Sequence, residues 1–502
     1  MTPRQLWKRP LPARSLASAR VRVLAIVGVT MLACIPVFLF LGQKSVWLDE
    51  GSTFAYATSP WSTFWHLVTG SQANMALYYL LLRPWLHLGS SEFLLRFPSA
   101  VFAVAAVPAI YALGAELFNA RVGLVAALLL PVNAFFIHYA QEARGYSLAL
   151  LLIILSSYFF VRSIKRPSRW SWTLYVVTAI LSVYAHFFAL LVIGAQWMAL
   201  ILLNRRAIQW RRLAAAGLAI ALALIPVFLF VLFRDTFQLD WVPRPNAGEL
   251  FSLFNALAGN GSHMLLWAYL AASGVMAVTG IAVFRRSPRS IGAWSFVFLL
   301  AWLLGPILVA YAFSLWVKPV FTLRYLIVSL PAFVLVVALG VTRLPTRWAG
   351  AAAVVVLIVL SSQGLQRWYT KYRTEDWRHA TEFVVSHARQ GDGVGFFAYF
   401  VDSPFNYYLQ RLDAVDGPPT EVQIELPPYA AIGRGPGPNL KLLKALPSHY
   451  GRFWLVLSHE SNPQLSRTNQ IGEIQKTLRS EYRQTLMRKF KGITVVLYQR
   501  AV

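Results

Sequence analysis

The stretch Val46-Trp47-Leu48-Asp49-Glu50-Gly51 places two adjacent carboxylates directly after the first membrane-length apolar run. An unpaired carboxylate beside hydrocarbon is costly, so such a pair needs water, a cation or a reaction to account for it. A reaction is the reading taken here, because a carboxylate at a wet membrane edge is equipped to accept a proton from a hydroxyl. The plainer alternative is that Asp49 and Glu50 occupy the first turn of a surface helix, where acidic side chains are favoured. Spacing leaves open which of the two would act.

The chain around this pair is a membrane protein by composition. Its 502 residues are 57% hydrophobic and 13% charged, with mean hydropathy +0.54, far from a soluble globular balance. A net charge of +26 would suggest nucleic acid in a soluble protein. Here the basic residues cluster instead in the N-terminal tail, at Arg121, and in short loops holding Arg162, Lys165, Arg166 and Arg169, then Arg205, Arg206, Arg211 and Arg212, then Arg285, Arg286 and Arg289, then Arg343 and Arg347. That is the positive-inside pattern of cytoplasmic loops, and no nucleic-acid partner is expected. The single Cys34 excludes an internal disulfide. The first apolar run has no small-residue cleavage site and reads as a retained helix.

Apolar runs at about 21–41, 93–117, 122–139, 146–163, 172–185, 187–203, 213–233, 264–284, 293–316, 325–342 and 348–364 predict a polytopic α-helical protein with about 11 transmembrane helices, at roughly 20 residues per span. The run 74–88 is short and broken by Arg83-Pro84, and predicts a helix lying at the interface. Counting it as a span would move the basic loops outside, against the charge rule. With it on the membrane, one outer face collects Asp49, Glu50, His66, Gln141, Glu142, Arg144, His186, Asp240, Arg244, His263, Lys318 and Arg324. The long run 172–204 carries His186 near its middle and is predicted to turn there, bringing His186 to the outer side. A lone histidine in such a run is more often packed and hydrogen-bonded than a ligand.

Residues 1–364 thus form a transmembrane module with outer juxtamembrane helices at about 48–88, and 365–502 an exported α/β domain. Helices are predicted at 375–390, 403–412 and 470–479, and strands at 394–397, 453–457 and 493–498, with a turn at Gly391-Asp392-Gly393. Gly433-Arg434-Gly435-Pro436-Gly437-Pro438 has no strand before it and two prolines within it, so it reads as a loop and not a phosphate cradle.

The ordered set Asp49-Glu50, Leu77-Tyr78-Tyr79-Leu80-Leu81-Leu82, Arg96-Phe97-Pro98-Ser99-Ala100, Tyr139-Ala140-Gln141-Glu142-Ala143-Arg144-Gly145-Tyr146, Arg324-Tyr325-Leu326 and Glu375-Asp376-Trp377-Arg378 resembles bacterial C-type (GT-C fold) membrane glycosyltransferases. The branch is that of the protein mannosyltransferases and the lipid A aminoarabinose and galacturonic acid transferases. The match is good over about the first 150 residues and loose beyond. Two departures stand out: the family usually has His-Pro-Pro where this chain has Asn74-Met75-Ala76, and relatives often place an aspartate where this chain has Glu142.

The resemblance implies transfer of a sugar from a polyprenyl-phosphate donor to a hydroxyl of a lipid, glycan or protein acceptor, outside the cytoplasmic membrane. Such a displacement needs a base for the acceptor proton and cations for the leaving phosphate. Asp49 is then the candidate base, with Glu50 sharing that role or orienting the acceptor. Arg324, Arg144 and, more weakly, Lys318 are candidates for the donor phosphate, since a guanidinium fork clasps two phosphate oxygens; isolated, each reads as an interfacial anchor. Glu142, Gln141, Tyr78, Tyr79, His186 and Trp241 are candidate substrate contacts, although aromatic belts occur at the interfaces of any membrane protein. No metal-ligand spacing stands out, and a divalent cation bridging carboxylates is compatible with the pattern. The alternative from another class is a transporter or flippase of a lipid-linked sugar; the paired interrupted helices of alternating access are not seen in the sequence.

Overall fold

The computed structural model describes residues 14–203, 208–233, 239, 242–372, 374–397, 401–412, 417–424, 438–458 and 470–500, with side chains from Arg20 onward. Asp240, Trp241, Arg205, Arg206 and the glycine-rich stretch 433–437 fall outside the described residues. The chain divides into two compact units, one comprising residues 1–39, 68–78 and 96–369, the other 40–67, 79–95 and 370–502.

The first unit is a helical membrane body. Seven helices among the described residues are long and apolar enough to cross a bilayer, or up to nine if two bent pairs each count as one span. The remaining two of the expected runs are also helical but shorter, at Arg169–Ala185 and Ala189–Ala199. The surface of this body carries large apolar side chains in the open: Leu24 is 70% exposed, Leu232 73% and Ile201 79%. Such a surface is stable in lipid and a liability in water, so the chain is a multi-pass membrane protein. The 325–342 segment is apolar on every side and accordingly lies at the centre, with 89% of it buried. Gly340 makes that possible locally, because a Cβ there would meet the Ala272 carbonyl of the His263–Arg286 helix.

Bends fall where local chemistry puts them. The pair Ala120–Val132 and Ala134–Ala140 meets at 66°. Pro131 cannot donate to the turn before it, and Asn133 starts a new helix by accepting from the Phe136 N–H while its amide donates to the Leu257 carbonyl. The pair Trp210–Ala223 and Ile225–Phe233 bends by 46° beside Pro226. The Ala76–Trp85 helix has 10 residues. At about 1.5 Å per residue it covers half of a ~30 Å hydrocarbon layer, too little to cross.

In the second unit a five-stranded sheet runs in the order β2-β1-β3-β5-β4, with β1 Gly393–Phe397, β2 Thr420–Glu421, β3 Arg452–Ser458, β4 Tyr482–Phe490 and β5 Ile493–Arg500. β1 is parallel to β2 and β3, and β5 pairs antiparallel with β3 and β4. Phe397, Phe453, Leu455, Val496 and Tyr498 pack on Leu443, Leu446, Ile474 and Leu478 in one core. The helices and strands expected around 375–390, 394–397, 403–412, 453–457, 470–479 and 493–498 are present within a few residues. The sequence pattern does not predict the Leu440–His449 helix, the two-residue β2 or β4. The helix carries an internal Pro447, and β4 is a largely exposed edge strand whose charged residues hide its alternation.

Candidate active site

In the second unit, Asp49 and Glu50 open the Leu48–Thr58 helix. The helix dipole favours both there, but they face different surroundings. Asp49 is half-buried and Glu50 completely buried. Glu50 reaches back to the Trp47 N–H at 3.5 Å, in the manner of the third helical residue of a capping box. Tyr79 is buried against Tyr56, with ring centroids 5.6 Å apart.

The first unit holds the other described candidates. Gln141, Glu142 and Arg144 lie in one tight turn between the Ala134–Ala140 and Tyr146–Lys165 helices. Gly145 ends the turn in a place no side chain could occupy, since a Cβ would stand 2.8 Å from the Ala185 carbonyl. Gln141 is a strut: its amide donates to the carbonyls of Val37 at 3.0 Å and Leu39 at 2.8 Å, and its Oε1 accepts from the Trp368 indole at 2.7 Å. Tyr78 is buried and bonded to Ser99 Oγ at 2.8 Å, and Ser99 in turn donates to the Arg144 carbonyl. Tyr78 therefore supports the turn from beneath.

Glu142 is buried, with Oε1 2.7 Å from His138 Nε2, while its Oε2 has no hydrogen-bond partner among the described residues. His138 lies flat between Tyr139 and Trp368, at centroid distances of 4.6 and 4.3 Å. Sequence reasoning missed His138. The signal was its four-residue offset from Glu142, which puts both on one helical face.

His186 occupies the turn between the Arg169–Ala185 and Ala189–Ala199 helices, outside both, where the break was expected. It is 1% exposed. Its ring packs on Tyr146, Phe188 and Tyr325, and Nδ1 accepts from the Phe188 N–H at 3.2 Å. Burial, reinforced by the charges of Arg144 and then Arg324, holds its pKa down to about 3. The imidazole is thus neutral near pH 7, with Nδ1 an acceptor and Nε2 carrying the hydrogen. Nε2 is buried and has no hydrogen-bond partner among the described residues. Because both guanidinium charges act on His186, Arg144, Arg324 and His186 share one neighbourhood; Arg324 itself lies over the Tyr325 ring at 5.3 Å. Asn74, where the family usually has histidine, accepts from the Phe187 N–H and so secures the same turn. Lys318 follows the Ile291–Trp316 helix and is half-buried. Among the described residues no three His, Cys, Asp or Glu side chains gather as a metal site would need.

Residues 75–230 match the family of dolichyl-phosphate-mannose-protein mannosyltransferases. The crystal structure of ArnT from Cupriavidus metallidurans superposes with TM-score 0.63 at 12% identity, over 96% of this chain and 98% of ArnT. The chain has the GT-C fold. ArnT bound to undecaprenyl phosphate matches equally well, over 94% of this chain and 97% of that one. The GT-C relatives also include the Archaeoglobus fulgidus oligosaccharyltransferase AglB in complex with an inhibitory peptide and a dolichol-phosphate, at TM-score 0.53, 11% identity and 95% and 74% coverage. The mycobacterial arabinofuranosyltransferase AftD aligns at TM-score 0.54 and 15% identity over 95% of this chain and 40% of its own. No curated protein sequence matches this chain. Family and structural neighbours alike are glycosyltransferases.

Proposed function

We propose that this chain is an integral-membrane glycosyltransferase that moves a sugar from a polyprenyl-phosphate donor to a hydroxyl of a lipid, glycan or protein acceptor, with inversion, on the outer side of the cytoplasmic membrane. The observation that carries the reading is the Arg144–His186–Arg324 group. A neutral buried histidine whose Nε2–H has no hydrogen-bond partner among the described residues, with the charges of Arg144 and Arg324 acting on it, gathers positive charge and a hydrogen-bond donor in one place, a setting that suits a phosphate. Support comes from the neighbour ArnT, whose structure holds undecaprenyl phosphate. The isoprenoid tail would stay in hydrocarbon while the phosphate meets these residues.

In this reading Asp49 takes the proton from the acceptor hydroxyl, the oxygen attacks the anomeric carbon, and the bond from that carbon to the phosphate oxygen breaks. The charge left on the phosphate is held by Arg324 and Arg144. Asp49 is preferred over Glu50 because Glu50 is wholly buried and turned back to its own helix start. Glu142, Lys318, Tyr79 and Trp241 remain substrate-side assignments, whereas Gln141 and Tyr78 are read as supports of the second outer turn. The positive-inside pattern of the basic loops supports a cytoplasmic N-terminus and an outer 365–502 domain. The test is transfer by purified protein from defined undecaprenyl-phosphate sugars to a hydroxyl acceptor. Movement of such donors across a vesicle membrane without any transfer would replace this reading by a flippase.

A further inference from the structure

The peptide that leads into the Asp49 helix has no regular structure of its own over residues 45–47. Backbone polar groups in such a segment must find partners elsewhere, and here they find side chains from the C-terminal part of the same unit. The Val46 N–H, fully buried, donates to Tyr408 Oη at 2.8 Å. Thr374 donates to the Ser45 carbonyl at 3.0 Å, and the Arg378 N–H to Ser45 Oγ at 3.2 Å. The helix is gripped again one turn later. A Cβ on Gly51 would stand 2.6 Å from the Pro404 nitrogen, and Phe54 meets Tyr407 edge-on at 5.0 Å.

All of this converges on Glu92, which is 7% exposed. Tyr408 donates to its Oε1 at 3.1 Å, Arg378 donates to the same oxygen through Nε at 3.1 Å and Nη2 at 2.8 Å, and Arg411 donates to Oε2 at 3.1 Å. A buried ion network of this kind is a poor way to add stability, because desolvation offsets much of the Coulomb gain. What it does supply is fixed geometry: one carboxylate orients Tyr408 and Arg378, and these orient the backbone at 45 and 46.

We propose that Tyr408 and Arg378, set by Glu92, are positioning residues that fix the start of the Leu48–Thr58 helix and with it the Asp49 carboxylate. The proposal rests on the reading of Asp49 as the base. It makes the C-terminal domain part of the catalytic framework, since an error of about 1 Å in a reacting group costs about 100-fold in rate.

The test is a double-mutant cycle on the full-length protein. Tyr408→Phe keeps the ring against Tyr407 and removes only the hydroxyl. Hydrogen exchange should quicken in a peptide covering residues 42–52 and stay unchanged in the transmembrane helices. With the undecaprenyl-phosphate sugar and acceptor that support transfer by the native protein, kcat should fall about 10–100-fold at unchanged donor KM. In an Asp49→Asn background the same substitution should cost nothing further, because no carboxylate is left to misplace. Thr374→Val, which removes a separate tether of Ser45, should show the same pattern to a smaller degree and serves if Tyr408→Phe does not fold. A Tyr408→Phe loss that multiplies with that of Asp49→Asn, or an unaltered kcat, overturns the positioning role while leaving Asp49 as base. Normal transfer by Asp49→Asn alone overturns the base assignment, and the positioning role with it.

Discussion

Glu142 and His138 face each other at 2.7 Å across one helical turn, and the second carboxylate oxygen of Glu142 is buried with no hydrogen-bond partner among the described residues. A buried carboxylate half-satisfied in this way is destabilising unless a substrate group or cation completes it. Glu142→Gln keeps the shape and the contact to His138 but removes the charge. Transfer should fall by about 10-fold or more, while the melting temperature stays level or rises. A drop in melting temperature with undiminished transfer would make the pair purely structural.

Arg324 and Arg144 are expected to separate binding from chemistry only partly, since both would touch the donor phosphate before and during its departure. Arg324→Ala should weaken binding of undecaprenyl phosphate by about 10–100-fold, the scale of a hydrogen bond to a charged group. Arg324→Lys should recover less than half of that loss in free energy, since the fork is gone. Titration of the purified protein with undecaprenyl phosphate reads this directly, and equal affinity in all three proteins would remove Arg324 from the phosphate site.

His186 gives a pH signature. An unfolded histidine titrates near pH 6.5, whereas burial and the two arginines hold the folded one down to about 3. Between those values the unfolded chain binds a proton that the folded chain does not, so stability rises with pH across the window and is lost as pH falls through it. His186→Gln cannot titrate. Melting in detergent at about pH 4.5 and about pH 7 should show a smaller pH difference for His186→Gln than for the native protein; equal differences would mean the imidazole is not held neutral.

Much of this was legible in the sequence because it is local. Apolar runs mark the spans, the break at His186 sits in a run too long for one helix, and Asp49-Glu50 stands out for its two charges at a membrane edge. Other features depend on partners far away in the chain. Gln141 reads as a polar loop residue, yet its amide bonds to carbonyls about a hundred positions earlier and to Trp368. Glu92 looks like the polite acidic start of a helix, and only folding brings Arg378 and Arg411 to it. His138 sits inside an apolar stretch, and its meaning lies in its pairing with Glu142.

The proposed orientation of the membrane body rests on charge alone and is open to a labelling test. Ser287, in a short basic loop, and Ser386, on the C-terminal domain, are both exposed. Each is changed singly to cysteine in a Cys34→Ala background. In cells with a permeable outer barrier and an intact inner membrane, an impermeant thiol reagent should label position 386 and spare 287 until lysis. The opposite pattern would invert the protein and with it the outer placement of Asp49.

Asp49 carries the sharpest prediction. It is half-buried at the first turn of its helix, whereas Glu50 is buried and bonded back to Trp47, so the two should respond differently to the same isosteric change. Asp49→Asn keeps the size and hydrogen-bonding shape but removes the proton acceptor, and turnover should fall by about 10²–10⁴-fold, the usual scale for losing a general base. Affinity for undecaprenyl phosphate should stay within about twofold of native, because the anion is held by cations and not by this carboxylate. Glu50→Gln should lose less turnover and more thermal stability, since the amide is a weaker acceptor for the Trp47 N–H. Turnover that survives in Asp49→Asn and collapses in Glu50→Gln, at native stability, would exchange the two roles.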